Sequence, residues 1–307
     1  MNLSSDNPAQ RKVVALYGLG NMGFAIAQQL ARHFSLKVYD PDQAQVRRAI
    51  DTLSAQFISD VSELSDVHAV VMCLPQPSIS RQVVQDIAPV LPKIAVIIET
   101  STVNPDDIRD CVVAAQPHAI EVIDASIMAG VAQMQQGEAT LALGGEPSAI
   151  QRVQDVLKAM SAKQINFGAS GAGAAAKVIN NAVAHAVMVV VAEAGSMATA
   201  AGVSTEKLLE LLADSKMGLH RPLTYRYAQR VVKDDFDGGM PLDAARKDSV
   251  LALELAHKLG VPLFAIQGSH TVYELAACAG YGRQDYAVIA KLWQGWGKPA
   301  THPIQGQ

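Results

Sequence analysis

The sequence is poor in the features that mark several large classes of protein. It has only three cysteines, Cys73, Cys111 and Cys278, an odd number at wide, unpaired spacings. That excludes a disulfide framework or a cysteine-built zinc site and fits a reducing compartment, so a cytoplasmic location is expected. No basic block is present, and a formal net charge of −4 is spread over interspersed positive and negative residues. Neither nucleic acid nor an anionic membrane surface is expected as a partner. The histidines are scattered without the spacing of metal ligands, and no metal is expected. Residues 1–12 are polar and lack both the apolar stretch of a signal peptide and the Arg-rich amphipathic character of a transit peptide. Gly and Pro fall short of a disordered composition, and the polar, Pro-containing tail from Gly297 is expected to be loosely held. Residues 182–203 are long and apolar enough to raise the question of a bilayer span. They contain His185, Glu193 and many small residues, so they read as a buried helix of a soluble protein.

What is present is a large apolar fraction, 50% of 307 residues, sufficient for two domains with real cores. Short β-rich runs at 13–17, 36–40, 69–74, 95–99, 119–124 and 140–145 alternate with helical patterns. Such alternation predicts βαβ units, with a mostly parallel sheet covered on both faces. Beyond Gly171 the β-rich runs stop. Helices are predicted at 173–201, 204–214, 220–233, 241–259, 262–280 and 285–294. The expected fold class is therefore α/β: a doubly wound Rossmann sheet over residues 1–169, followed by an all-α domain over 170–307, joined by a long interdomain helix.

Gly18-Leu19-Gly20-Asn21-Met22-Gly23 follows the first β-rich run and opens a helical pattern. Asp40 ends the next run, 22 positions after Gly18. Strand, glycines, helix and acid together form a dinucleotide fingerprint. Gly18 permits the tight turn, Gly20 lets the backbone approach a pyrophosphate, and Gly23 lets the helix pack on the sheet. Asp40 can accept hydrogen bonds from ribose hydroxyls and repel a 2′-phosphate, which favours NAD over NADP. It also suits the role of a cap for the following helix.

A second informative stretch is Gly171-Ala-Gly173-Ala-Ala-Ala-Lys177-Val-Ile-Asn180-Asn181. On a helix Lys177 and Asn181 share a face. Small and apolar neighbours place Lys177 where its charge is costly, and both desolvation and the helix N-terminus would lower its pKa. That suits a residue that exchanges protons near neutrality. A lysine that snorkels to water from an interdomain helix is the competing reading.

The glycine fingerprint, the GxGxxxKxxNN pattern at 171–181, Glu193-Ala194, Lys247-Asp248 and Asp285-Tyr-Ala-Val-Ile occur in this order. Together they resemble the β-hydroxyacid dehydrogenase family, which includes 3-hydroxyisobutyrate and tartronate semialdehyde enzymes. The resemblance implies a homodimer or homotetramer acting on a small hydroxy acid or semialdehyde, with Lys177 as general acid/base and Asn181 at the substrate. It further implies cofactor contacts from Leu74-Pro75, from Thr102 of the Ser101-Thr102 pair, and from Lys247, for which an exposed residue beside Asp248 is the alternative. His220-Arg221 reads as a surface pair or as part of the substrate cleft. The family's substrate loop, Asp-Ala-Pro-Val-Ser-Gly-Gly, is Asp124-Ala-Ser-Ile-Met128-Ala129-Gly130 here. The substrate-facing serine becomes Met128, leaving backbone N–H groups of residues 128–130 to hold an acid group. Imine reductases, which resemble the same fold but place Asp or Tyr at the lysine position, are a second reading. A dinucleotide-binding sensor without turnover is a third.

Overall fold

A computed structural model describes residues 11–294 and 296. The first ten residues and the tail from Gly297, about which the sequence carries expectations, lie outside the described residues. The chain separates into two compact units, Met1–Asn181 and Ala182–Gln307.

The first unit is built on one eight-stranded sheet in the order β3-β2-β1-β4-β5-β6-β7-β8. The strands are β1 (Val13–Tyr17), β2 (Ser35–Tyr39), β3 (Gln56–Phe57), β4 (Val67–Met72), β5 (Val96–Glu99), β6 (Glu121–Met128), β7 (Thr140–Gly144) and β8 (Lys163–Asn166). All neighbouring pairs are parallel except β6 with β7. The first six strands thus follow the doubly wound order, with the topological switch between β1 and β4. The near-continuous apolar runs follow from burial on both faces. Val14 and Leu16 of β1 enter one core with Ala69 and Val71 of β4, whereas Ala15 and Tyr17 enter the other with Val70 and Met72. Helices α1 (Asn21–Leu30), α2 (Gln43–Leu53), α5 (Val131–Gln135), α6 (Pro147–Arg152) and α7 (Gln154–Met160) contribute to the first core. Helices α3 (Pro77–Ile87) and α4 (Pro105–Ala115) contribute to the second.

Two features of the first unit depart from the sequence reading. β6 runs on to Met128, so most of the expected substrate loop is strand: Asp124 pairs with Gly144 and Met128 with Thr140 in the antiparallel ladder with β7. The reason is tertiary, because the chain turns back through the five-residue α5 and β7 captures the end of β6. β3 and β8, of two and four residues, are too short to leave a period.

α8 (Ala172–Ala200) runs from the first unit into the second. The second unit continues with α9 (Thr205–Ala213), a π-helical segment (Pro222–Val231), α10 (Leu242–Leu259), α11 (Ala265–Cys278) and a 3₁₀ segment (Tyr286–Trp293). The stretch predicted as an ordinary helix over 220–233 is wound more widely, as in the bond from Val232 N–H to the Tyr227 carbonyl at 3.0 Å. The hydrophobic period does not encode that difference. Phe236, Leu242, Ala276, Ala287 and Val288 form this unit's core, beside a buried Asp285 that accepts from Arg226 at 2.6 Å.

The expectation that residues 182–203 form a buried helix is corrected by the structure. α8 is long and apolar enough to cross a membrane, yet only 6% of its most apolar eighteen-residue stretch is buried. Val183 and Met188 are 59% and 62% exposed. Apolar residues around most of a helix call for cover, and within the second unit these side chains stand open.

Candidate active site

The carboxyl ends of β1 and β4 open onto a cleft of about 730 Å³. Gly18, Gly20, Asn21, Met22 and Gly23 line it from the turn into α1; Tyr39, Asp40 and Pro41 line it from the end of β2; Cys73, Leu74 and Pro75 follow β4. Gly18 has φ +94°, and a Cβ there would overlap the Cys73 carbonyl oxygen across the switch point. A Cβ on Gly23 would overlap the Gly18 carbonyl oxygen, whereas one on Gly20 would meet nothing within 4 Å. The first two glycines therefore serve the protein's own packing, and the third leaves backbone open to the cleft. No side chain caps α1, whose N-cap is Gly20, so its first N–H groups face the cleft. An uncapped helix start beside an open glycine backbone suits a pyrophosphate. Burial pushes the Cys73 thiol up to about 11, which removes it as a nucleophile at neutral pH.

Asp40 binds the fingerprint together. Its Oδ2 accepts the Leu19 N–H at 2.7 Å and its Oδ1 the Asp42 N–H at 2.8 Å. Leu19 itself buries its side chain in the core and meets the site only through the backbone. Ser59, Asp60, Val61 and Asp86 also line the cleft. Three of them follow the two-residue β3, which sequence reasoning passed over. No Lys or Arg is among the lining residues.

At the end of β5, Ser101 makes the contact between strands. Its hydroxyl accepts the Leu74 N–H at 2.7 Å, and its own N–H donates to the buried Glu99 at 2.7 Å. Thr102, the predicted cofactor contact, is exposed one residue on and does not line the cleft.

Lys177 is half-buried on the second turn of α8, and its Nζ donates to the Ile127 carbonyl at 2.6 Å, near the carboxyl end of β6. β1, β4, β5 and β6 run parallel, so this lysine stands at the same sheet edge as the glycine turn. Burial holds its ammonium below the ordinary lysine range. Asn181 lies one turn along the same helix face, also half-buried. Met128 ends β6, and Ala129 and Gly130 lead into α5. The Gly130 N–H donates to Gln133 Oε1 at 3.1 Å. Lys247, on α10 in the second unit, is 68% exposed and pairs with Asp248 at 3.1 Å. His220 and Arg221 stand exposed just ahead of the π-helical segment.

The chain matches two family models in succession. The NAD binding domain of 6-phosphogluconate dehydrogenase covers residues 13–171, and the NAD-binding model of NADP-dependent 3-hydroxyisobutyrate dehydrogenase covers residues 171–293. The chain is 27% identical over 280 residues to a 3-sulfolactaldehyde reductase of Escherichia coli, covering 90% of this chain and 94% of that protein. It is 28% identical over 309 aligned residues to an NAD-dependent L-serine dehydrogenase of Pseudomonas aeruginosa, covering 96% of this chain and all of that one (100%). An imine reductase from Pseudomonas sp. matches the structure with a TM-score of 0.82 at 19% identity, over 92% of this chain and 99% of that one. At that identity the likeness carries the fold alone.

Proposed function

The chain belongs to the β-hydroxyacid dehydrogenase family of NAD(P)-dependent oxidoreductases, and on that premise we propose that it transfers a hydride reversibly between NAD and the hydroxyl-bearing carbon of a small 3-hydroxy acid or its semialdehyde. The observation that carries the reading is Lys177: an amine with its pKa lowered by burial, hydrogen-bonded to the Ile127 backbone carbonyl, at the sheet edge where the glycine turn receives a dinucleotide. The nicotinamide, when bound, takes or supplies the hydride. Lys177 takes the hydroxyl proton during oxidation and returns it during reduction; the Ile127 carbonyl holds the amine in place between turnovers. Asn181 orients the substrate, and residues 128–130 hold its acid group once Gln133 gives way. The matched proteins named for 3-sulfolactaldehyde and L-serine agree with a small substrate.

NAD is favoured over NADP because Asp40, Asp60 and Asp86 line the cleft with no cation to receive a 2′-phosphate. C=N reduction remains the competing chemistry, and Lys177 in place of an Asp or Tyr speaks against it. The exposed apolar length of α8 supports a homodimer or homotetramer in which a second copy covers that helix. Light scattering of the purified chain is expected to give a multiple of 32.5 kDa; a detergent-free monomer would remove this part of the proposal.

The deciding experiment is Lys177→Ala, assayed with NAD and a panel of hydroxy acids. NADH affinity is expected to stay within about twofold while kcat falls by about 10²–10⁴-fold, the usual contribution of a positioned acid or base. Turnover at the wild-type rate would refute the assignment. Imines reduced while every hydroxy acid fails would move the chain to the competing chemistry.

A further inference from the structure

The mechanism proposed above gives no task to the buried carboxylate of Asp124. Asp124 lies in the middle of β6 with no solvent exposure (0%). Its Oδ1 accepts the Gly171 N–H at 2.7 Å and its Oδ2 the Ala174 N–H at 2.8 Å. Gly171 and Ala174 bracket the start of α8, where backbone N–H groups have no partner inside the helix. Helices ordinarily find a cap next to them in sequence. This one takes its cap from a strand 47 to 50 positions earlier. Both carboxylate oxygens face donors, so the ionised form is the one that fits. Burial outweighs the backbone N–H groups and leaves the Asp124 carboxyl above the ordinary aspartate range.

Room has been made for this charge from two sides. A Cβ on Gly144 of β7 would lie 2.6 Å from Asp124 Oδ1, and a Cβ on Gly173 of α8 would lie 2.8 Å from Oδ2. Gly173 would also run into the Ala142 carbonyl oxygen. Three residues beyond Asp124, the Ile127 carbonyl receives Lys177 Nζ; three residues beyond Ala174 stands Lys177 itself. The same strand therefore grips the same helical turns twice, once by their backbone and once by the lysine.

We infer that Asp124 is a positioning residue for Lys177: its carboxylate fixes the first turn of α8 on β6 at the height that brings Nζ to the Ile127 carbonyl and to the substrate edge of the sheet. The inference rests on the reading of Lys177 as the proton carrier. It explains why a charge is kept where an apolar residue would be easier to bury, since an error of about 1 Å in a reacting group can lower a rate by about 10²-fold.

The test is a double-mutant cycle on the full chain, using Asp124→Asn, Lys177→Ala and the double variant. The readouts are kcat for the best hydroxy acid of the panel and the dissociation constant for NADH. Asp124→Asn keeps one acceptor of the two. It is expected to bind NADH within twofold of wild type while kcat falls at least tenfold. Added to Lys177→Ala, it is expected to cost nothing further in the residual rate, because a residue acting through an absent lysine has nothing left to position. Two results would overturn the inference: kcat within twofold of wild type for Asp124→Asn, or a full additional loss in the double variant. If Lys177→Ala keeps its turnover, the parent reading fails instead, and the cycle shows which has happened. Should Asp124→Asn not fold, Gly144→Ala crowds the same carboxylate from β7 without removing it. The same pattern is expected of it, and additive losses there would also overturn the inference.

Discussion

The three glycines of the fingerprint look equivalent in the sequence but answer to different neighbours, and alanine substitution separates them. Gly20 has φ −58° and ψ −175°, a backbone any residue adopts, and an added methyl there meets nothing within 4 Å. Stiffening the unfolded chain favours Gly20→Ala by about 0.4–1 kcal/mol, and the poorer N-cap offsets this by a similar amount. Stability should therefore change by less than about 1 kcal/mol, or about 2–4 °C in Tm for a unit of this size. The same methyl stands where a pyrophosphate must approach the backbone, so the dissociation constant for NADH should rise at least about tenfold, equivalent to 1.4 kcal/mol. Gly23→Ala places its Cβ on the Gly18 carbonyl oxygen and 2.8 Å from the carbonyl carbon. Relief requires moving α1 off the sheet, so the loss should reach about 1–3 kcal/mol or more, and Tm should fall by several degrees. Thermal melts with and without NADH, together with fluorescence titration of NADH, read both quantities. If Gly20→Ala melts well below wild type and binds NADH unchanged, the division between packing and ligand glycines is wrong.

Two further outcomes follow from single side chains. Asp40→Ser removes the acid that faces the cleft together with its tie to the Leu19 N–H. The ratio of kcat/KM for NAD over NADP should fall by about tenfold or more, and an unchanged ratio would mean that Asp40 does not set the preference. Glu193 accepts the N–H groups of Phe264, Ala265 and Ile266 at 2.6, 2.8 and 3.0 Å. Burial pushes its carboxyl up, but those three donors outweigh burial and leave it below the ordinary glutamate range. A carboxyl lowered on folding stabilises the fold above its unfolded pKa, and that contribution fades as pH falls through the folded value. Glu193→Gln should therefore lower Tm at pH 7 and converge with wild type in acid; a constant gap across that range would contradict the assignment.

The Rossmann class, the glycine turn and Asp40 at the end of β2 were legible because each depends on chain neighbours: a strand, a turn and a helix start written within about thirty residues. Lys177 was legible for a similar reason, as a charge among small residues at the start of an apolar helix. Its Ile127 partner was not, because that contact joins positions 50 apart in sequence. Gln133 stands three residues after Gly130 and reaches back to its N–H, but with no side chain on Gly130 the sequence carries only half of a capping box.

Composition and periodicity settled which segments bury an apolar face and which turns need glycine, because those requirements act between residues close along the chain. Whether residues 124–128 are loop or strand, and whether Asp124 caps a helix, were decided by elements meeting across the fold. β6 is buried at every position but its two ends, and nothing in that run fixes its antiparallel partner until β7 arrives beside it. The apolar surface of α8 records a need for burial without naming what meets it. Long-range contacts of this kind depend on where the backbone turns, and that is a property of the assembled chain.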